Sequence, residues 1–207
     1  MRRASSNRAA PKSTSQSFDA GYYRRFYVNP RTRVTTPEES SRRAALIAAV
    51  VRQLELPVNR ILDAGCGLGL MRAGLLQAFP KADYVGLEVS EHLCKRLGWV
   101  RASIAKFKSR VPFDLVICND VLQYLADREA ASALANLGRL CRGALYLHAL
   151  TTEDWQRNAD TRCSDGAVHF RSAQWHRQRL SRNFQFVGFG MHVRRGLPIF
   201  QWQLERP

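Results

Sequence analysis

A chain of 207 residues that is 45% hydrophobic can bury one well-formed core of α/β size, and a second full domain does not fit. Its formal net charge of +15 raises the prospect of an acidic partner, RNA above all. The arginines are scattered, however, as Arg24-Arg25, Arg42-Arg43, Arg139, Arg177 to Arg182 and Arg194-Arg195, with no basic run or nucleic-acid motif, so nucleic acid is the weaker reading. No run of about 18 apolar residues occurs, so no membrane span is expected. The five cysteines form no C-x-x-C or Cys/His set, which speaks against a disulfide framework or a metal site and for a reducing compartment, the cytoplasm.

Residues 1–17 contain Arg2, Arg3, Arg8 and Lys12 but no acid and no aromatic, and are expected to be a disordered basic tail. They lack the apolar stretch of a signal peptide; an organellar transit peptide is the lesser reading. Residues 18–207 are read as one domain. Its first part, 18–35, carries Tyr22, Tyr23, Phe26 and Tyr27, which either close over a ligand or pin the segment to the core. Thr36-Pro37-Glu38-Glu39 starts a helix: an N-cap hydroxyl, proline at the first position and a capping-box glutamate agree. That helix runs to about Leu56, with Glu38/Arg42 and Glu39/Arg43 as expected i,i+4 pairs, and Pro57 ends it. Alternation follows: strand 60–64, helix 69–79, strand 84–88, helix 90–97, strand 99–103, strand 114–118, helix 127–141 and strand 144–149. This pattern predicts a doubly wound, mostly parallel sheet with helices on both faces and ligands at the carboxyl ends of the strands. Residues 151–171 are too long for an ordinary connection and are a candidate substrate-side insertion. A polar helix, 172–183, precedes two alternating runs, 184–193 and 197–204, read as a hairpin turning at Arg195-Gly196.

Within this order Arg60-Ile61-Leu62-Asp63-Ala64-Gly65-Cys66-Gly67-Leu68-Gly69 is the most informative stretch. An apolar strand ends in a carboxylate and passes into three glycines spaced two apart, which permit φ > 0 and let backbone N–H groups approach a ligand. Nineteen residues beyond Gly69, the run Tyr84-Val85-Gly86-Leu87 ends in Glu88, placed to accept hydrogen bonds from a ribose diol. The dinucleotide fingerprint G-x-G-x-x-G fails in both registers, at Leu70 and at Arg72.

Asp-Ala-Gly-Cys-Gly-Leu-Gly resembles the first motif of class I S-adenosylmethionine-dependent methyltransferases. Phe113-Asp114-Leu115-Val116-Ile117-Cys118-Asn119-Asp120-Val121-Leu122-Gln123-Tyr124-Leu125 is similar to that family's fourth-strand segment. Asn136 to Leu147 resembles the helix, glycine turn and fifth strand that follow. The resemblance covers about residues 58–150 and implies a seven-stranded Rossmann-like sheet closed by a C-terminal antiparallel hairpin. It also implies S-adenosyl-L-methionine as cofactor: Asp63, Gly65, Cys66, Gly67 and Gly69 facing its amino-acid part, Glu88 the ribose, Ser103 and Ile104 the adenine, with Val89, Asn119 and Leu122 as further cofactor contacts. Where the family often has an acid for the adenine amino group, this chain offers Ser103.

The reaction so implied is methyl transfer by in-line displacement, in which positioning supplies most of the catalysis. A general base serves a hydroxyl acceptor, and His148, just past the fifth strand, is the best placed; Asp120 is the other candidate. The structural alternatives are a histidine closing a strand end and a turn aspartate. Tyr22, Tyr23, Tyr27, Tyr124, His148, Trp155 and Trp175 are the expected substrate contacts. Asn119-Asp120-Val121-Leu122 lacks the Asn-Pro-Pro-aromatic or Asp-Pro-Pro-aromatic signature of amino methylation on bases and glutamine, which favours a small-molecule acceptor methylated on oxygen or nitrogen. The alternatives are an RNA or protein methyltransferase, and a non-catalytic nucleoside-binding module. The sequence assigns no oligomeric state.

Overall fold

A computed structural model describes residues 18–207; the expected tail, 1–17, lies outside them. Seven strands form one sheet in the order β3-β2-β1-β4-β5-β7-β6. They are β1 (Arg60–Ala64), β2 (Asp83–Glu88), β3 (Val100–Arg101), β4 (Phe113–Asn119), β5 (Cys141–His148), β6 (Phe184–Gly188) and β7 (Met191–Arg194). The first five pair in parallel, and β7 runs antiparallel between β5 and β6. The chain order reverses between β1 and β4, so the carboxyl ends of these two strands open a crevice at a topological switch point.

The central strands are near-continuous apolar runs because both faces of the sheet are covered. Leu62, Val116 and Leu145 face one core with α5 (Asp127–Leu140) and α7 (Ala173–Leu180). Ile61, Leu115, Ile117 and Ala144 face the other with α2 (Pro37–Gln53) and α3 (Arg72–Ala78). Each fully buried Leu, Ile or Val among them contributes about 1.5–3 kcal/mol relative to exposure. A third cluster joins Tyr22, Tyr23 and Phe26 of α1 (Ala20–Tyr23) and the π-turn after it (Arg24–Val28) to Leu93 of α4 (Glu91–Leu97). The remaining helix, α6 (Thr152–Arg157), lies in the 151–171 segment.

The start of α2 follows its sequence signals. Thr36 Oγ1 accepts the Glu39 N–H at 3.1 Å, and Glu39 Oε2 accepts the Thr36 N–H at 2.8 Å. Four other expectations need correction. Neither Glu38/Arg42 nor Glu39/Arg43 makes a direct ion pair among the described residues, and Glu39 is engaged by the cap. β3 is only two residues long. The fifth strand begins directly after α5 at Cys141, and Gly143 is no turn glycine: it sits inside β5, where a Cβ would meet the Asp114 carbonyl oxygen at 2.2 Å. The C-terminal hairpin turns at Phe189-Gly190 rather than Arg195-Gly196, because Gly188, Phe189 and Gly190 are three consecutive residues of positive φ (104°, 47° and 76°). Residues 197–202 form no strand. No helix among the described residues is long and apolar enough to cross a membrane.

Candidate active site

Two cavities meet at the carboxyl ends of β1 and β4. The smaller, about 370 Å³, is walled by Phe18, Tyr22 and Tyr23 on one side and by Glu88, Val89, Ser103 and Ile104 on the other. The larger, about 690 Å³, reaches toward β5 and the 151–171 segment and includes Asp63, Cys66, Gln123, Tyr146 and His148. Seven residues line both: Tyr27, Gly65, Gly67, Asn119, Asp120, Tyr124 and Asp165. That shared wall carries two carboxylates and no cationic side chain.

The glycine loop is shaped by its neighbours. Gly65, Gly67 and Gly69 all have positive φ (77°, 53°, 71°). A Cβ on Gly65 would stand 2.2 Å from Val121 Cγ2, and one on Gly69 would stand 2.8 Å from the Trp99 ring, whose Nε1 donates to the Gly67 carbonyl at 2.9 Å. Gly69 therefore packs behind the loop against Trp99 and lines neither cavity, a correction to its expected cofactor contact. Glu88 fixes the loop from the other side. Its Oε2 accepts the Gly67 N–H at 2.9 Å, while Oε1 accepts the Val89 and Ser90 N–H groups at 2.7 and 3.0 Å. With four lone-pair positions on a carboxylate, one on Oε2 is left for a ligand hydroxyl.

Asp63 is 2% exposed and accepts the Tyr84 hydroxyl at 2.6 Å. Burial pushes its carboxyl up to about 6; the Tyr84 hydrogen bond opposes that rise and the Glu88 charge adds to it. Burial likewise pushes the Cys66 and Cys118 thiols far up, so neither is a nucleophile.

Asp120 and His148 form the polar pair of the larger cavity. His148 Nδ1 lies 2.9 Å from Asp120 Oδ1, and the two side chains are 48% and 37% exposed. Asp120 sits at φ 56°, a left-handed conformation uncommon outside glycine. It is held there by its own N–H donated to the His148 carbonyl at 2.9 Å and by side-chain bonds from Asn119 and Gln123. The hydrogen bond to Asp120 raises the His148 imidazole above its ordinary value, against burial. Burial opposes ionisation of Asp120, yet the His148 and Gln123 contacts outweigh it and hold that carboxyl below the usual range.

The aromatic segment forms part of the wall. Tyr22 Oη lies 2.8 Å from Tyr124 Oη, and the Ser90 hydroxyl donates to the Phe18 carbonyl at 2.5 Å. Burial pushes the hydroxyls of Tyr22, Tyr23, Tyr27 and Tyr124 up, so they stay protonated. Three expected contacts lie elsewhere. Leu122 is a fully buried core residue, and Val121 takes its place on the cavity wall. Trp155 stacks on Phe170 at 5.1 Å and covers Gly166. Trp175 packs against the α5 side of the core and lies under the Arg179 guanidinium, 3.9 Å from its ring centroid. Both tryptophans are taken up by packing of their own segments.

Sequence reasoning missed Arg42 and Arg43, whose α2 face turns to the larger cavity. It also missed Asp165, which follows from the inserted segment only through its Asp-Gly turn signal. Asp165 is 9% exposed; its Oδ1 accepts the Ala167 N–H at 3.0 Å, while Oδ2 has no donor. Asn119 Oδ1 and Gln123 Oε1 are also buried without a donor. No group of three or more potential metal-ligating side chains occurs among the described residues.

Residues 62–143 match the family model of the methyltransferase domain. Over that stretch the chain is similar to the class I S-adenosylmethionine-dependent methyltransferases. A trans-aconitate 2-methyltransferase of Acidovorax ebreus is 34% identical over 95 residues, 42% of this chain and 37% of that protein. A malonyl-[acyl-carrier protein] O-methyltransferase of Anoxybacillus flavithermus is 30% identical over 97 residues, 42% of this chain and 38% of that protein. The matched stretch thus spans under two fifths of the length of either relative. Among solved structures, the N-methyltransferase NodS of Bradyrhizobium japonicum WM9, in complex with S-adenosyl-L-homocysteine, aligns with a TM-score of 0.62 at 18% identity. The alignment covers 89% of this chain and 100% of that one, and at this identity the likeness is one of fold.

The methyltransferase site fits the family's cofactor on its own chemistry. Three orphaned acceptor oxygens, on Asn119, Gln123 and Asp165, and the buried Asp63 suit a cationic ammonium and sulfonium, and they would repel a pyrophosphate. The open acceptor position on Glu88 suits a ribose hydroxyl, whereas the Gly65, Cys66, Gly67 and Gly69 N–H groups, expected to approach a ligand, are donated to Leu87, Glu88 and Cys66 within the protein. One consequence is a proton release. Asp63 has its folded pKa raised from 3.8 to about 6, so its contribution to stability is fully present below 3.8 and lost as pH rises through about 6. A cation beside it favours the ionised form, so binding should expel a proton between those values and tighten as pH rises across them. Calorimetry in buffers of different ionisation enthalpy reads this directly; heats at pH 5 that are identical in all buffers would remove Asp63 from the binding site.

Proposed function

We propose that the protein transfers a methyl group from S-adenosyl-L-methionine to a small organic acceptor, on oxygen or nitrogen. The junction of the two cavities at Gly65, Asn119, Asp120 and Tyr124 carries this reading: a nucleoside-sized cleft opens into a separate chamber, with the seam at the end of β4. When bound, the cofactor supplies an activated methyl on a sulfonium. The chain does the rest. Glu88, held by the Gly67, Val89 and Ser90 N–H groups, receives the ribose side, Val89, Ser103 and Ile104 flank the adenine side, and Asn119, Asp165 and Asp63 receive the cationic end. Tyr22, Tyr23, Tyr27 and Tyr124 keep water from the seam, and His148, oriented by Asp120, takes the proton of a protic acceptor at Nε2 while Nδ1 faces the carboxylate.

The relatives named for trans-aconitate and malonyl-[acyl-carrier protein], and the structural neighbour named as an N-methyltransferase, support a small acceptor and leave the atom open. Calorimetry with S-adenosyl-L-methionine, its demethylated product and NAD tests the first half of the proposal. The first two should bind and NAD should not; the reverse order would overturn it. Incubation with panels of carboxylic acids, phenols and amines, read as formation of S-adenosyl-L-homocysteine, tests the second half.

Glu88→Ala should weaken binding of the demethylated product by about 1–3 kcal/mol through loss of a charge-assisted hydrogen bond. It should also lower Tm, because the Gly67, Val89 and Ser90 N–H groups lose their acceptor. An affinity equal to that of the unaltered protein would place the ribose elsewhere.

A further inference from the structure

At the opposite end of the sheet the structure holds a third cavity, about 730 Å³, between the C-terminal ends of α5 and α7 and the starts of β4 and β5. Arg139, Arg142, Arg179, Arg182 and Arg194 line it, and its lining contains no carboxylate. They come from four separate elements, so only the tertiary fold brings them together: α5, β5, the end of α7 with the turn after it, and β7. Arg142 alone has an acidic partner, Asp114, at 2.6 Å. Arg139 donates to Asn136, Arg179 to the Trp175 carbonyl, and Arg194 to the Gly138 carbonyl and Asn183, all neutral acceptors. Arg182 has no hydrogen-bond or ion-pair partner among the described residues and is exposed. Five guanidiniums converging with one carboxylate nearby repel one another, and an anion relieves that repulsion.

We propose that this cavity is a binding site for a compact polyanion bearing two or more phosphate groups, distinct from the methyl-transfer site. Guanidinium forks match phosphate oxygens two at a time, and a concave site with a small apolar floor of Ala131, Leu134 and Ala135 suits a small ligand. No aromatic side chain lines it, so it offers no stacking surface for the bases of a single-stranded nucleic acid. The ligand is not the methyl acceptor. The cavity lies at the Phe113 end of β4 and the reaction seam at the Asn119 end, six residue steps or about 20 Å away. Cys141, also on the wall, takes no part, because burial pushes its thiol up to about 12.

The test is calorimetric titration of the full chain with inorganic tripolyphosphate. Saturable one-to-one binding is expected, weakened about tenfold or more by Arg139→Ala combined with Arg182→Ala, two exposed side chains that cap nothing. The charge-matched pair Arg96→Ala with Arg206→Ala should leave it unchanged. Absence of saturable binding would overturn the proposal, as would equal loss in both double variants, which would show a diffuse response to net charge. A 20-nucleotide RNA that binds through Arg139 and Arg182 and is not displaced by tripolyphosphate would also overturn it, in favour of a nucleic-acid surface. None of these readouts depends on methyl transfer.

Discussion

Replacing Gly65 by alanine is expected to abolish detectable binding of S-adenosyl-L-methionine and to lower Tm by several degrees. The new Cβ would overlap Val121 Cγ2 at 2.2 Å on a residue already at φ 77°. The left-handed conformation alone costs a non-glycine residue about 1–2 kcal/mol, and relieving the overlap must move either the loop or the turn after β4, both of which line the two cavities. The companion change Val121→Ala separates the two effects. In the double variant the overlap is gone and the conformational cost stays, so binding should return in part, with a coupling energy of about 0.5–3 kcal/mol between neighbouring sites. A Gly65→Ala protein with normal affinity would show that the loop does not face the cofactor.

The second large effect concerns the Asp120–His148 pair. His148→Ala should leave affinity for the demethylated cofactor within a factor of about two and lower turnover on a protic acceptor by about 10²–10⁴-fold. As a base His148 must be neutral, so activity rises with pH through its pKa. Because Asp120 raises that pKa, the rising limb should lie above the ordinary imidazole value of 6.5. Asp120→Asn removes the charge that raises it, and the limb should move to lower pH. An alanine variant of full activity, or a limb unmoved by Asp120→Asn, would make the pair a structural latch between β4 and β5 and leave alignment alone as the source of rate.

Much of this site was legible in the chain because its chemistry is local. The glycines at 65 and 67, the acid at 88 and the apolar strands announce themselves by spacing, and the structure brings Asp63, Gly65, Cys66, Gly67, Glu88, Val89, Ser103, Ile104, Asn119, Asp120, Tyr124 and His148 onto the two cavity walls. What failed was decided by tertiary packing. Leu122 and Val121 are adjacent, and the one-residue difference that sends one into the core and the other to Gly65 depends on the single 3₁₀ turn at Leu122–Tyr124. Trp155 and Trp175 have the residue type of ligand aromatics, but their own neighbours, Phe170, Gly166 and Arg179, claim them. Asp165 was hidden because the segment that carries it is anchored from a distance. Arg171, with a side chain 4% exposed, donates to Asp127 and to the Leu122 and Leu125 carbonyls. No spacing rule reports such a tether. The hairpin was shifted by six residues because Gly188-Phe189-Gly190 and Arg195-Gly196 are comparable turn signals, and only the pairing of β7 with β5 chooses between them.

The aromatic segment has a kinetic consequence. Phe18 is fastened to Ser90 and Tyr22 to Tyr124, so residues on two different loops clasp the N-terminal wall of the smaller cavity. A nucleoside lodged there is expected to leave most readily when one of those fastenings lets go, a loop displacement of the microsecond-to-millisecond kind. Tyr22→Phe, which removes one fastening and keeps the ring, should quicken escape of the demethylated product, read by stopped-flow displacement from the protein.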